Sequence, residues 1–454
     1  MIEALSRHLA YRVMEWRDPH RRVAAFRDLL RTQHLPTADL RRQQMARLRD
    51  MLNYAASNCR LYGERFASAG FDGSAADIYA EFLKLPLLSK DDIRERPADL
   101  ISARFTRDTL LEAKTGGSTG TSLQVFFDAQ CQALRNAAAM RSDSWAGWKP
   151  GLPVGALWGN PPTFVTLRER ARNTFIDRLD FLDTMNMTVS TMRAFFERSQ
   201  RRPGTVLYGH AHSLYLYACF LEEHGLRPAQ PAAIISTSMM LLDTERAVIE
   251  RAFGRKVSDR YGCEEVGLIA SECEQHAGMH LNVDHLVVEV LDANGAPVGP
   301  RQEGRIVVTD LINHGMPLVR YVLGDTGIVG NDPCACGRGL PMLERVTGRV
   351  ADFLVRRDGS QVAGISMIER TLTHIPGIKQ MQIIQDDLDI FQVNVVPGAD
   401  FGPPSMVGLR AEFAHTFGAH AMVTISTVDA IERLPSGKYR FSVCRVPPQR
   451  RGHR

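Results

Sequence analysis

The sequence predicts a protein of mixed class. A large N-terminal α/β domain has a helical first part, mixed sheets and a small β subdomain, and a small mobile α+β domain closes the chain. Three observations carry this. At 454 residues the chain exceeds what one ordinary core encloses. After about residue 110, short β-like runs alternate with helical ones, the pattern of largely parallel strands covered by helices. From Gly348 onward a second alternation of helices and strands begins, compact enough to stand as its own unit.

Residues 1–105 form the helical part, with apolar positions at helical spacing such as Leu40, Met45, Leu48, Leu52 and Ala55. Residues 106–347 form the core. Strands are expected at Val154 to Trp158, Thr205 to Tyr208, Ala232 to Ile235 and Lys256 to Asp259. Helices are expected at Thr191 to Arg201, Ser213 to Glu223 and Asp243 to Phe253. From about 280 to 330 the texture becomes purely β: His285 to Leu291, Gly304 to Asp310 and Leu318 to Val322. Asn294-Gly295 supplies a hairpin-type turn between the first two. Residues 348–454 predict a hairpin around Asp358-Gly359, then a helix from Met367 to His374. Strands at Gln380 to Gln385 and Ile390 to Val396, a helix from Val407 to Phe417 and a strand from Met422 to Val428 complete the unit.

Composition excludes several classes. Hydrophobic residues at 44% and charged residues at 23% are the mix of a soluble globular protein. Apolar runs such as Val393 to Val396 fall far short of the ~20 residues of a membrane span. The N-terminus carries acids and arginines without an apolar targeting core, so a cytoplasmic location is expected. A net charge of +4 is mild. The basic stretches Arg17 to Arg49 and Arg445 to Arg454 read as solvated helix faces and a tail, and no nucleic-acid partner is expected. Eight cysteines in such a chain do not suggest a disulfide framework. Cys59, Cys131, Cys219, Cys263 and Cys444 read as ordinary thiols.

Thr115-Gly116-Gly117-Ser118-Thr119-Gly120-Thr121-Ser122 is the strongest local signal. Its glycines allow tight turns, and its hydroxyls and free N–H groups offer donors to phosphate oxygens. No Gly-Lys-Ser/Thr closes it, so it is not a Walker loop, and a surface turn remains the alternative. Tyr261-Gly262-Cys263-Glu264-Glu265, with Asp259 just before, could hold Mg²⁺ on a carboxylate or cap a following helix. Arg320 to Asp325 reads as a strand ending in an acid, suited either to ribose hydroxyls or to an Asx-turn. Gly348-Arg349-Val350-Ala351-Asp352 falls at the expected domain boundary. Lys438, in Leu434-Pro435-Ser436-Gly437-Lys438, would by itself be a solvated loop lysine.

Taken in order, these segments resemble the adenylate-forming ligase superfamily, and within it the phenylacetate–CoA ligase family and its capsule-polysaccharide branch. The similarity runs from roughly residue 35 to 446 and includes Leu85 to Ile93 (LPLLSKDDI), Gly304 to Asp325 and Cys334 to Pro341 (CACGRGLP). The resemblance implies an AMP-forming ligase that joins a carboxylic acid to a thiol and uses ATP, Mg²⁺ and coenzyme A or a carrier thiol. It implies that Ser118, Thr119 and Gly120, with Thr121, cradle the ATP phosphates. Asp259 and Tyr261 would lie at adenine, Glu265 would bind Mg²⁺, and Asp325 and Arg349 would hold the ribose. Lys438 would swing in from the small domain to the reacting carboxylate. Thr121, Glu264, Ala351 and the run Ser236 to Met240 depart from what many relatives carry: a lysine, a Thr or Ser, an acidic hinge and a Gly-Glu pair. Two other outcomes are open: an adenylyltransferase acting on a hydroxyl acceptor, and a nucleotide-binding relative without turnover. Cys273, His280, Cys334 and Cys336 form a Cys₃His set suited to a structural Zn²⁺, with His276 a competing ligand. A homodimer is among the assemblies such a chain could form, and polysaccharide biosynthesis is its expected setting.

Overall fold

The computed structural model describes residues 16, 18–114, 123–158, 162, 164–184, 187–330, 333–349, 353–357, 361–432 and 440–446. The phosphate-loop residues 115–122, Ala351, the turn at Asp358-Gly359 and Lys438 lie outside them.

Six helices lead the described chain: α1 (Arg22–Thr32), α2 (Thr37–Asn58), α3 (Arg60–Ser68), α4 (Ile78–Lys84), α5 (Lys90–Glu95) and α6 (Pro97–Leu100). Leu40, Gln44, Leu48, Leu52 and Ala55 recur every three or four residues and, with Met51, form the buried face of α2. A hairpin follows, β1 (Leu111–Lys114) against β2 (Gln124–Phe127), and the glycine-rich segment joins its two strands. Asp128 then starts α7 (Ala129–Ala146) by accepting the Cys131 amide at 2.8 Å.

Next come β3 (Val154–Trp158), α8 (Leu167–Arg172), β4 (Leu179–Asp183), α9 (Val189–Gln200), β5 (Val206–His210), α10 (Ala211–Glu223), β6 (Ala233–Thr237), α11 (Asp243–Phe253) and β7 (Val257–Cys263). The expected parallel order holds: β4, β3, β5, β6 and β7 lie side by side and all run the same way. Beyond β7 the sheet changes character. The strands β8 (Gly267–Glu272), β9 (Met279–Leu281), β10 (Leu286–Leu291), β11 (Glu303–Asp310), β12 (Tyr321–Val329) and β13 (Met342–Arg349) pair antiparallel in the order β7-β8-β9-β13-β12-β11-β10. One continuous 11-stranded sheet results. The Asn294-Gly295 turn is present, with Gly295 at φ 84°, inside a longer β10–β11 connection.

Arg320 ties the helical part to this sheet. Its guanidinium pairs with Glu289 at 2.8 Å and donates to the carbonyls of Leu83 (2.9 Å) and Leu85 (2.7 Å). The Leu88 backbone adds to the edge of β12, donating to Arg320 O and accepting from Val322 N, both at 2.9 Å. This is the structural content of the LPLLSKDDI segment.

Beyond β13 come β14 (Phe353–Val355), β15 (Gln361–Ala363), α12 (Gly364–His374), β16 (Ile378–Asp387), β17 (Ile390–Pro397), α13 (Pro403–Phe417), β18 (Met422–Thr427) and β19 (Ser442–Cys444). The expected helices and strands are present, with β14 and β15 as the two paired arms of the expected hairpin, and β19, only three residues long, is an addition the sequence did not signal. The sheet order is β18-β17-β16-β19, and Met381, Ile383, Phe391, Val393, Leu409 and Phe413 make its separate core. Among the described residues no helix is long and apolar enough to cross a membrane.

Glu289→Gln should be severe, because it leaves the Arg320 guanidinium buried without its counter-charge. A loss of about 3–5 kcal/mol is expected by urea denaturation.

Candidate active site

The site lies where the parallel and antiparallel halves of the sheet meet. β7 belongs to both, and it carries Asp259 and Tyr261. The Tyr261 hydroxyl donates to Asp325 Oδ2 at 2.7 Å. In return, the Tyr321 hydroxyl donates to Glu265 Oε1 at 3.0 Å. Two tyrosine–carboxylate bonds thus join β7 and the turn after it to β12. In the sheet, β8, β9 and β13 stand between those strands. A flat sheet would hold them about 19 Å apart, beyond the reach of a tyrosine and an aspartate. The antiparallel half must therefore curl back on itself, and the bonds across the curl hold Tyr261, Glu265 and Asp325 in one cleft.

Two expectations change here. Asp325 does not end a strand: β12 runs on to Val329, with Gly324 at φ 89° and a register irregularity between Arg305 and Val307 on its β11 side. Asp325 faces Arg349 across the β12–β13 pair, so the two expected ribose residues are register neighbours. Nor does a helix follow Glu265; β8 does, and this removes the helix-cap alternative.

Glu265 is buried, and α7 holds its backbone carbonyl. Arg135 donates to Glu265 O and to Asp310 Oδ2, each at 2.7 Å. Arg135 was not singled out from the sequence, although an arginine on the alanine-rich buried face of α7 was a readable sign. Asp259 sits opposite Ser236 on β6 and accepts its hydroxyl, while its amide donates to Glu272 at 2.9 Å. Glu272 in turn pairs with Arg246 at 2.8 Å and His276 at 3.2 Å. Ser236 thus has a role as the Asp259 donor, in the run that departs from the family pattern. Ser238, just after β6, stands at φ 66°, a conformation glycine takes freely.

Two histidines stand where β5 runs into α10: His210 ends the strand and His212 lies in the first helical turn. Both are buried. His210 packs on Trp158 at 4.3 Å between ring centroids, and Trp158 stacks on Tyr208 at 5.7 Å. His212 Nδ1 lies 2.5 Å from Glu245 Oε1.

The cysteine–histidine set also converges. Sγ of Cys273, Cys334 and Cys336 and a ring nitrogen of His280 all lie within 4.8 Å of one another. Cys273 and Cys334 sulfurs are 3.6 Å apart, and Cys336 Sγ is 3.3 Å from His280 Nε2. Tetrahedral zinc, with Zn–S near 2.3 Å and Zn–N near 2.0 Å, needs edges of about 3.8 and about 3.5 Å. His280 Nδ1 bonds Leu340 O at 3.1 Å, which fixes Nε2 as the nitrogen turned to the sulfurs. His276 faces Glu272 instead. Burial pushes the Cys273 thiol up to about 12, so an empty cluster would keep that proton and a bound cation must displace it. The turn bearing Cys334 and Cys336 docks on the α1–α2 junction: Gly339 N donates to Gln33 O at 3.0 Å and Thr37 Oγ1 to Gly339 O at 2.9 Å. A Cβ at Gly339 would meet Leu35 O at 1.9 Å.

Burial raises the Asp259 carboxyl to about 7. Between about pH 4 and that value the fold keeps a proton that the unfolded chain has released. The contribution to stability is therefore full at low pH and lost as pH rises through 7. The urea midpoint of the wild type should fall relative to Asp259→Asn between pH 5 and pH 8, whereas parallel profiles would exclude the shift.

The chain is similar to several known proteins. A profile of the CapK C-terminal domain matches residues 354–444. The phenylacetate-coenzyme A ligase of Thermus thermophilus is 25% identical over 364 residues, covering 76% of this chain and 77% of its own. That of Escherichia coli is 24% identical over 342 residues, covering 70% and 73%. Among solved structures, 2-hydroxyisobutyryl-CoA ligase in its postadenylation state aligns with a TM-score of 0.73 at 21% identity, covering 91% of each chain. The same enzyme in its thioesterification state gives 0.60, at 21% identity and 92% of each chain. The chain is thus similar in sequence to phenylacetate-coenzyme A ligases, has the fold of adenylate-forming ligases, and resembles the CapK C-terminal domain over residues 354–444.

Proposed function

We propose that this chain is an AMP-forming acid–thiol ligase. The carboxylate of its substrate attacks the α-phosphorus of ATP and expels pyrophosphate, giving an acyl-adenylate. The thiol of coenzyme A then attacks the acyl carbon and AMP leaves. The observation that carries this reading is the single cleft in which Tyr261 bonds Asp325, Arg349 stands opposite Asp325 in register, and Glu265 lies across the curl.

In that cleft, the Tyr261 ring takes the adenine, with Asp259 beneath it on the same strand. Asp325, its carboxylate oriented by the Tyr261 hydroxyl, accepts the ribose hydroxyls, and Arg349 serves the same sugar. Ser118, Thr119, Gly120 and Thr121, on the loop joining β1 to β2, hold the phosphates. Glu265 offers a hard oxygen ligand preset by Tyr321 and fits Mg²⁺, which takes one or two protein carboxylates and fills the remainder with phosphate and water. Bound there, the cation would neutralise phosphate charge. Lys438 supplies the fixed positive charge at the reacting carboxylate. The Cys₃His set fits zinc in a closed, non-catalytic site, because four protein ligands leave no open position. We read the chain as a helical part (1–105), a nucleotide-binding core (106–347) and a lid (348–454), and place the reaction in polysaccharide biosynthesis.

ATP–pyrophosphate exchange across a panel of aryl, fatty and amino acids, with and without coenzyme A, tests this directly. Acid-dependent exchange is expected, with a thioester product free of AMP; a product that retains AMP would mean adenylyl transfer to an acceptor instead. Lys438→Ala should lower exchange by ~10²–10³, the usual worth of a fixed donor at developing charge, and unchanged exchange would overturn the lysine's role. Asp325→Ala should raise KM for ATP by about 10- to 100-fold, since it removes a charged hydrogen-bond acceptor. Elemental analysis should find about one zinc per chain, lost in Cys334→Ser together with several degrees of Tm, as the turn loses its hold on residues 33–37.

A further inference from the structure

Between β3 and β4 the chain forms α8 (Leu167–Arg172), continued by one wider π-turn, Asn173–Asp177. A helix that covers a sheet normally turns its apolar stripe inward. This one is set the other way round. Asn173 faces β4, where its side chain donates to Leu179 O at 3.0 Å and accepts from Leu179 N at 2.8 Å. Leu167, Ala171 and Phe175 are spaced by four, so they share one side of the helix, and all three are exposed, Leu167 by 84% and Phe175 by 44%. Val165 adds to them. It precedes the N-cap Thr166, a place from which an apolar side chain can pack on the fourth helical residue. Here that residue is Arg170, and Val165 stays 73% exposed.

Charge frames this apolar side. Arg168 and Arg172 border it on one flank and Arg170 on the other. Within 165–178 four arginines stand against two acids, Glu169 and Asp177. Both acids are engaged locally. Glu169 accepts the amides of Val165 at 3.0 Å and Thr166 at 2.9 Å, and Asp177 pairs with Arg172 at 2.9 Å. Arg170 Nε donates to Phe164 O at 3.1 Å, and Arg178 donates to Gly151 O. Arg168, beside Leu167, is exposed and makes no ion pair among the described residues.

The occupant of such a face must accept apolar side chains and supply negative charge. A second copy presenting the same face would set arginine against arginine. A protein partner would need a separate pocket for each protruding side chain. An anionic lipid surface meets both demands, because its acyl layer admits the side chains anywhere and its phosphates meet the guanidinium groups.

We propose that residues 165–177 rest on an anionic lipid surface, with Val165, Leu167 and Phe175 inserted below the headgroups and Arg168, Arg170 and Arg172 against the phosphates. The segment leads into β4, the edge strand, four strand spacings or about 19 Å from β7 in the sheet. Lipid contact there stands apart from the cleft, and the inference does not depend on the ligase reading.

The test is flotation of the full chain with phosphatidylcholine vesicles, with and without phosphatidylglycerol. The chain should float only with the anionic vesicles, and added salt should weaken the binding. Arg168→Gln should lower the partition coefficient about fivefold, and Leu167→Gln combined with Phe175→Gln at least about tenfold. These side chains are exposed, so Tm should not change. Leu167→Trp supplies a local readout: brominated acyl chains should quench its fluorescence beyond the quenching seen in the wild type. No flotation with anionic vesicles, flotation that the variants leave intact, or an unquenched Leu167→Trp would each overturn the proposal. So would a dimer, seen by light scattering without lipid, that the Leu167→Gln and Phe175→Gln pair dissolves, since a second copy would then cover this face.

Discussion

The candidate site depends on a sheet forced to close on itself. A strand order that leaves β8, β9 and β13 between β7 and β12 would disperse Tyr261, Glu265 and Asp325 if the sheet were flat. Two phenol–carboxylate bonds across the curl prevent that. Each joins a phenol to a carboxylate, on strands fixed by their ladders or in the tight turn between β7 and β8, so little entropy is lost in making it. The cleft is in this sense a property of curvature, and the residues that bind are also the residues that hold the curve.

Buried charge secures the neighbouring parts. Arg135, Arg141 and Arg320 are all buried, and each reaches an acid together with a carbonyl or amide oxygen from a distant segment: Asp310 and Glu265, Asp284 and Asn282, Glu289 and Leu85. Charges withdrawn from water tolerate few arrangements, which makes such pairs better at fixing relative placement than at adding stability. The helical N-terminal part, the long helix α7 and the antiparallel strands are aligned in this way around one cleft.

Much of this was legible in the sequence. The alternation after residue 110 announced parallel strands, and Val154–Trp158 and Asp243–Phe253 were read to the residue. The Cys₃His set converges as its chemistry suggested, despite the 53 residues between His280 and Cys334. Less legible was the antiparallel half, where Gly267–Glu272, Met279–Leu281 and Met342–Arg349 are short or interrupted and lack a clean alternation. Asp325 looked like the end of a strand because the glycine before it mimics a turn. The bracing residues Arg135, Tyr321, Glu272 and Glu245 carry no local signature, since what defines them is a partner far along the chain.

β7 has a consequence for how such a protein can change. It hydrogen-bonds a parallel neighbour on one side and an antiparallel neighbour on the other, and it presents Asp259 and Tyr261 to the same cleft. Losing or gaining a single residue in it would turn every side chain to the opposite face for both halves at once. Evolution can therefore lengthen the surface connections freely, yet must treat this strand as a fixed ruler whose length no later substitution can correct.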